Sequence, residues 1–219
     1  MAAREHVMLA AGNGGRNRGR NVGSVAMGFV EQSVVKRLRE AEGYLDLSAA
    51  LHALEARIDS SPRGGHGGSH QLAEKALESL AAISDPGRHR ECWLYYRGMA
   101  YRDLGSYREA IVPLKEAASL DPSNIHVWLA LGWCYKRIGR VDLAIEALDS
   151  ARRVAPGEAI IQYNLACYWS LSRNKDLAMQ FLRRALDLDP KYRDMIGDET
   201  DFDSLRADPE FQALVSIIV

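Results

Sequence analysis

No run of apolar residues in this 219-residue chain approaches the ~20 that a membrane-spanning helix needs. An excess of charge of one sign is missing as well. The 28 Lys and Arg against 29 Asp and Glu leave a net charge of −1, so there is no global field to attract nucleic acid or an acidic lipid surface. Cysteine is scarce: Cys92, Cys134 and Cys167 are an odd number with no C-x-x-C spacing, which supports neither a disulfide framework nor a zinc site. With no convincing secretory signal either, a reducing cytosol is the expected location. Only 7 prolines and 8% aromatics argue against a turn-rich β fold. What is present is 47% apolar residues, enough for a substantial core in one large or two small domains.

The start of the chain stands apart. Residues 1–29 carry Arg4, Arg16, Arg18 and Arg20 against Glu5, around a glycine-rich middle (AGNGGRNRGRNVG). This composition predicts a disordered tail; its Arg-rich, acid-poor character is also compatible with an organelle import segment.

The strongest signal is an internal repeat. Gly98, Gly132 and Ala166 are 34 residues apart, and so are Tyr101, Tyr135 and Trp169. The same spacing of 34 joins Ala110, Ala144 and Ala178; Ala117, Ala151 and Ala185; and Pro122, Pro156 and Pro190. The units are therefore 91–124, 125–158 and 159–192. In the middle unit Trp128, Leu131, Gly132 and Tyr135 form the stripe of an amphipathic helix. Gly139 breaks it, a second stripe runs through Val141, Ala144, Ile145, Leu148 and Ala151, and Pro156 ends that helix. Gly132 and Ala144 are expected where the two helices cross, since larger side chains would hold the backbones apart.

These columns resemble the tetratricopeptide repeat (TPR) pattern W-x2-L-G-x2-Y…A-x3-F…P. The middle unit supplies Trp128, Leu131, Gly132, Tyr135, Ala144, Leu148 and Pro156; the first supplies Leu94, Arg97, Gly98, Tyr101, Ala110, Leu114 and Pro122. The third supplies Gln162, Leu165, Ala166, Trp169, Ala178, Leu182 and Pro190, so that Arg97 and Gln162 depart from the apolar pattern. The resemblance implies an all-α superhelix, a right-handed solenoid of antiparallel helix pairs, that binds other proteins.

Flanking the array, residues 30–90 are expected to hold a degenerate helix pair, a linker and an extra helix. The pair has stripes Val34, Leu38, Ala41, Leu45 and Ala50, Leu51, Leu54, Ile58; the linker is 60–70 (SSPRGGHGGSH) and the helix 71–84. Residues 193–219 carry net charge −5, from two Arg and seven acidic residues, with Phe202, Leu205, Phe211 and Leu214 as apolar teeth. The phrase DFDSLRADPEFQAL resembles an end-cap found after repeat runs in bacterial members of the family, with Asp208 as N-cap and Pro209 as first helical residue. A last repeat needs such a cover.

A stacked array offers a concave face built from the first helix of each pair. Beside the core stripe, the groove-lining positions are Cys92, Tyr95, Met99 and Arg102; His126, Leu129, Trp133 and Lys136; and Ile160, Tyr163, Cys167 and Ser170. Tyr, Trp, Met and Arg are the types enriched where partners bind. The candidate groove is Tyr95, Met99, Arg102, Leu129, Trp133, Lys136, Arg137, Tyr163, Asn164 and Cys167, an aromatic floor with a basic margin. The expected occupant is a peptide or helix segment of another protein, with an apolar anchor and acidic flanks. The rival expectation is a structural or self-associating module, its groove filled by its own N-terminal helices or by a second copy. A chaperone-tail clamp is disfavoured, because Tyr95 and Met99 stand where Lys and Asn would be needed and only Asn164 resembles a clamp residue.

No catalytic, cofactor or metal constellation emerges. His66 and His70 are spaced as helical ligands but sit among glycines without a third partner. Asp198, Asp201 and Asp203 lack the glycine and glutamate of a calcium loop, and Gly12–Gly23 lacks the Lys-Ser or Lys-Thr of a phosphate loop. The RNRGR stretch has no interleaved aromatics for nucleic acid. A non-catalytic binding protein is the expectation.

Overall fold

The computed structural model describes residues 22–58 and 67–216, and the chain divides into two compact units, Met1–His89 and Arg90–Val219. Residues 1–21 of the Arg/Gly-rich start, residue 59, 60–66 of the linker and 217–219 of the C-terminal region lie outside the described residues. Among the described residues there are only helices and turns.

The first unit is a helical hairpin of α1 (Val22–Ile58) and α2 (Gly67–Ala81). Val34, Leu38, Ala41, Leu45 and Ser48 of α1 are buried, as are Ser69, Ala73, Ala76 and Leu80 of α2, followed by Ile83. Both sets alternate steps of four and three residues, the spacing of a coiled-coil seam. Small residues let the backbones approach, and the buried Ser48 hydroxyl donates to the Ser69 carbonyl at 3.1 Å. The expected pair of helices in 30–59 is thus one uninterrupted helix. No proline or glycine follows Gly43 before its end, and Leu and Ala dominate, so nothing stops propagation. Ala50 and Leu54, expected on a second buried stripe, are exposed. Helix α1 begins at Val22, inside the stretch read as a tail, and α2 takes in the last linker residues, Gly67–His70.

The second unit holds three helix pairs on the 34-residue period. They are α3 (Arg90–Asp103) with α4 (Tyr107–Leu120), α5 (Ile125–Arg137) with α6 (Val141–Val154), and α7 (Ala159–Leu171) with α8 (Lys175–Leu188). The same local chemistry recurs in each. At the turn, Gly105, Gly139 and Arg173 have φ of 74°, 78° and 58°. The next amide reaches back to close the helix end: Ser106 N–H to the Tyr101 carbonyl, Arg140 to Tyr135, and Asn174 to Trp169, each at 2.9 Å. Arg173 adopts the left-handed conformation without being glycine, which is unfavourable for an L-residue.

The departures from the repeat pattern have physical explanations. Gln162 replaces Trp128, yet its Nε2 donates to the Pro156 carbonyl at 2.9 Å as the Trp128 indole N–H donates to the Pro122 carbonyl at 2.9 Å. Arg97 lies over the Trp93 ring at 4.5 Å. At the crossings, a Cβ on Gly132 would stand 3.3 Å from Leu148, and one on Gly98 would stand 2.7 Å from Leu114 Cδ2 with Cγ closer still.

After α8 the repeat is abandoned. A 3-10 turn (Pro190–Tyr192), the short α9 (Arg193–Ile196), a second 3-10 turn (Thr200–Leu205) and α10 (Pro209–Ser216) follow. Asp208 caps α10, accepting from Glu210 N–H at 2.9 Å and Phe211 N–H at 3.2 Å. Ile196, Phe202, Leu205 and Phe211 join the core of the last repeat, beside Tyr163, Leu165 and Leu182.

Candidate partner-binding face

The first helices α3, α5 and α7 carry the residues expected to line a groove. Trp133 is 42% exposed near the middle of this face. Two cations flank it: the Lys136 ammonium is 5.7 Å from its ring centroid and the Arg137 guanidinium 5.8 Å. Arg137 also lies over Tyr107 at 5.2 Å and pairs with no carboxylate among the described residues. Leu129, Tyr95 and Asn164 are half-buried.

Other expected groove residues are closed off. Arg102 is held by Asp103 at 2.7 Å. Burial opposes its charge, but this ion pair outweighs the opposition and raises the Arg102 pKa above its ordinary value. Met99, Tyr163 and Cys167 are buried. For Tyr163 and Cys167 the cover is the chain itself. The turn Thr200–Leu205 packs along α7, with Phe202 edge-on to Tyr163 at 5.8 Å between centroids, and the Tyr192 ring lies tilted against the same ring at 4.9 Å. Lys136 forms an ion pair with Asp201, a carboxylate only 7% exposed, and its ammonium also lies 5.8 Å from the Tyr168 ring. The Ser170 and Ser204 hydroxyls are 3.2 Å apart. The face is therefore open around Trp133 and occupied at its third-repeat end.

Asp201, Phe202, Tyr168 and Ser204 lie outside the expected set of site residues. The detectable signal is a break in register. Glu199 and Thr200 stand where the repeat requires Leu131 or Leu165 and Gly132 or Ala166, so this segment cannot form another first helix.

Tetratricopeptide repeat models match residues 101–166 and 159–192. Residues 101–192 are tetratricopeptide repeats. Anaphase-promoting complex subunit 3 of Dictyostelium discoideum is 25% identical over 123 residues, 54% of this chain but 12% of that protein. Superkiller protein 3 of Saccharomyces cerevisiae is 27% identical over 66 residues, 30% of this chain and 5% of its own length. The chain thus spans a small fraction of both curated relatives. Among solved structures, the thermophilic TPR protein TTC0263 of Thermus thermophilus superposes with a TM-score of 0.56 at 22% identity, covering 79% of this chain and 87% of that one. MamA residues 41-end from Desulfovibrio magneticus RS-1 gives 0.54 at 22% identity over 80% and 93% of the two chains. YrrB, a TPR protein with an unusual peptide-binding site, gives 0.53 at 18% over 71% and 89%. At these identities the likeness is one of fold, the all-α TPR superhelix.

The TPR core holds its thiols in a form unsuited to nucleophilic attack. Burial pushes Cys134 up to about 12, the nearby Arg102 only partly opposing it, and burial likewise raises Cys167. Both are protonated thiols at neutral pH. Cys167, Glu199 and Asp201 bring ligand atoms within 4.8 Å of one another. Both carboxylates are already engaged, however: Asp201 by Lys136, and Glu199 by accepting from Asp201 N–H at 3.2 Å. No described helix is long and apolar enough to cross a membrane.

Proposed function

We propose that this chain is a non-catalytic protein-interaction module whose concave face, centred on Trp133, takes a segment of a partner protein. The observation that carries the reading is a large aromatic 42% exposed on the first-helix face, between Lys136 and Arg137. Exposed tryptophan beside arginine is the composition of an interface hot spot. A face preformed by rigid helices receives a segment without ordering itself first, which reduces the entropic cost of association. Tyr95, Leu129 and Asn164 are the other partly exposed residues of the expected groove, whereas Met99, Tyr163 and Cys167 are buried and Arg102 is paired with Asp103.

The occupant has an apolar anchor for Trp133 and Leu129 and an acidic flank for Arg137. That YrrB carries a peptide-binding site, and that anaphase-promoting complex subunit 3 belongs to a complex, is in keeping with this role. Among the described residues Cys92, Cys134 and Cys167 form no disulfide, which fits a reducing, cytoplasmic setting.

A photoreactive residue in place of Arg137 tests the reading. Crosslinks to a different protein, mapped to an apolar residue with acidic neighbours and lost when Trp133→Ala is added, are the expected result. Crosslinks confined to this chain or its copies would favour the self-associating alternative.

A further inference from the structure

The third-repeat end of the concave face already shows what chemistry it accepts, because the chain's own segment fills it. Phe202 is fully buried, its ring against Tyr163 on one side and 5.6 Å from Phe211 on the other. The residue just before it, Asp201, places its carboxylate on the Lys136 ammonium. Two residues after Phe202, Ser204 meets Ser170. An aromatic pocket, a cation and a hydroxyl are thus read by one six-residue turn.

We propose that this end of the face is a recognition site for an acidic residue followed directly by an aromatic one, that Asp201-Phe202 is its resident occupant, and that a partner protein binds by displacing it with an equivalent pair. The inference rests on reading the concave face as the binding surface.

Three features make displacement feasible. The resident segment is an isolated 3-10 turn, and exposed residues lead into it at Gly197 and Asp198 and out of it at Ala207. Isolated 3-10 turns have poorer hydrogen-bond geometry than α-helix, and such peripheral segments are where local opening concentrates. The ion pairs that tether α10, Lys175 with Asp208 and Arg183 with Glu210, join partly exposed side chains, a class that contributes little.

The Lys136–Asp201 pair exchanges its occupant readily in energetic terms. Burying two charges costs about what their attraction returns, so the pair selects which residue sits there more than it adds stability. An incoming carboxylate replaces it on equal terms. The advantage of a partner comes from continuity: Lys136 lies between the filled pocket and Trp133, 5.7 Å from the Trp133 ring and 5.8 Å from that of Tyr168. A segment that enters the pocket and continues onto Trp133 gains contacts that the resident turn does not make.

The probe is a fluorescein-labelled peptide of residues 197–206 (GDETDFDSLR), titrated by polarisation against the full chain. Phe202→Ala should vacate the pocket and bind the peptide at least tenfold more tightly than the wild type. Adding Lys136→Glu to Phe202→Ala should reverse that gain, and a peptide with Lys in place of the first Asp of its Asp-Phe-Asp run should restore it. Equal binding by wild type and Phe202→Ala, or none by either, overturns the inference. If Phe202→Ala loses its helical circular dichroism, hydrogen exchange on the wild type decides instead. Amides of 200–206 should open at least a hundredfold more often than those of α7 and α8, and equal protection overturns the proposal. A concentration-dependent wild-type dimer that the peptide dissolves would assign the pocket to a second copy and overturn it also. Partner binding that is lost in Trp133→Ala yet unaffected by excess peptide would sink this inference while leaving the concave-face reading intact.

Discussion

Replacing Gly98 by alanine separates the two opposing effects of a glycine buried in a helix. Alanine is the better helix former by about 1 kcal/mol, so an unobstructed Gly→Ala change stabilises. Gly98 is not unobstructed: its new methyl would stand 2.7 Å from Leu114 Cδ2 and closer to Cγ, where contact distances are nearer 3.5–4.0 Å. Leu114 is fully buried and cannot swing away. Overpacking of this kind costs roughly 1–3 kcal/mol, leaving a net loss of up to about 2 kcal/mol after the propensity gain. At Gly132 the same methyl meets Leu148 at 3.3 Å, a gap that a few tenths of an ångström relieves. Gly132→Ala should therefore be neutral within about 0.5 kcal/mol, in line with the alanine the third repeat carries at position 166. Urea denaturation of both variants measures the difference. A cycle with Leu114→Val localises it, because the shorter side chain should make Gly98→Ala less costly. A Gly98→Ala variant more stable than wild type, or no coupling to Leu114→Val, would refute the crossing geometry.

Arg173→Gly should stabilise the chain by about 1 kcal/mol by relieving the left-handed backbone at φ 58°, and a lowered urea midpoint would contradict this. Asn124 caps α5 by accepting from His126 N–H at 3.1 Å, so Asn124→Ala should cost about 1 kcal/mol in the same assay. The Cys134 thiol, raised from 9.0 to about 12 by burial, keeps its proton in the folded state while the unfolded chain loses it. Stability should be unaffected by this group below pH 9 and fall by about 1.4 kcal/mol per pH unit from there toward pH 12. Cys134→Ala should flatten that slope.

The array is legible in the sequence because its physics is local and repeated. Each turn, crossing and helix end is specified by residues within one 34-residue unit, and three copies agree in register. The open part of the face is legible for the same reason, since Trp133, Lys136 and Arg137 lie on one helix. The occupied part is not. Lys136 and Asp201 are 65 residues apart and no periodicity relates them, so only the folded chain brings the carboxylate to the ammonium. That pairing takes Lys136 out of the free basic margin, and Phe202 removes Tyr163 from the open floor. Helix α1 defeats the stripe argument because two apolar stripes suggest two helices, although no helix-stopping residue lies between Asp46 and Leu54. The change from Trp128 to Gln162 is visible in the sequence, but the hydrogen bond that makes the two equivalent is not.

A single substitution at Trp133 separates a binding role for its ring from a packing role. Once a partner has been mapped by photo-crosslinking from position 137, its affinity and the thermal melt are measured side by side for wild type and Trp133→Ala. Truncating an aromatic at the centre of an interface typically costs about 2 kcal/mol or more, so affinity should fall by a factor of roughly 30. Helicity and melting temperature should stay close to wild type, because the ring is 42% exposed and contributes little to the core. Intact partner binding with a lowered melting temperature would contradict the account, making Trp133 a packing residue and placing the binding surface elsewhere.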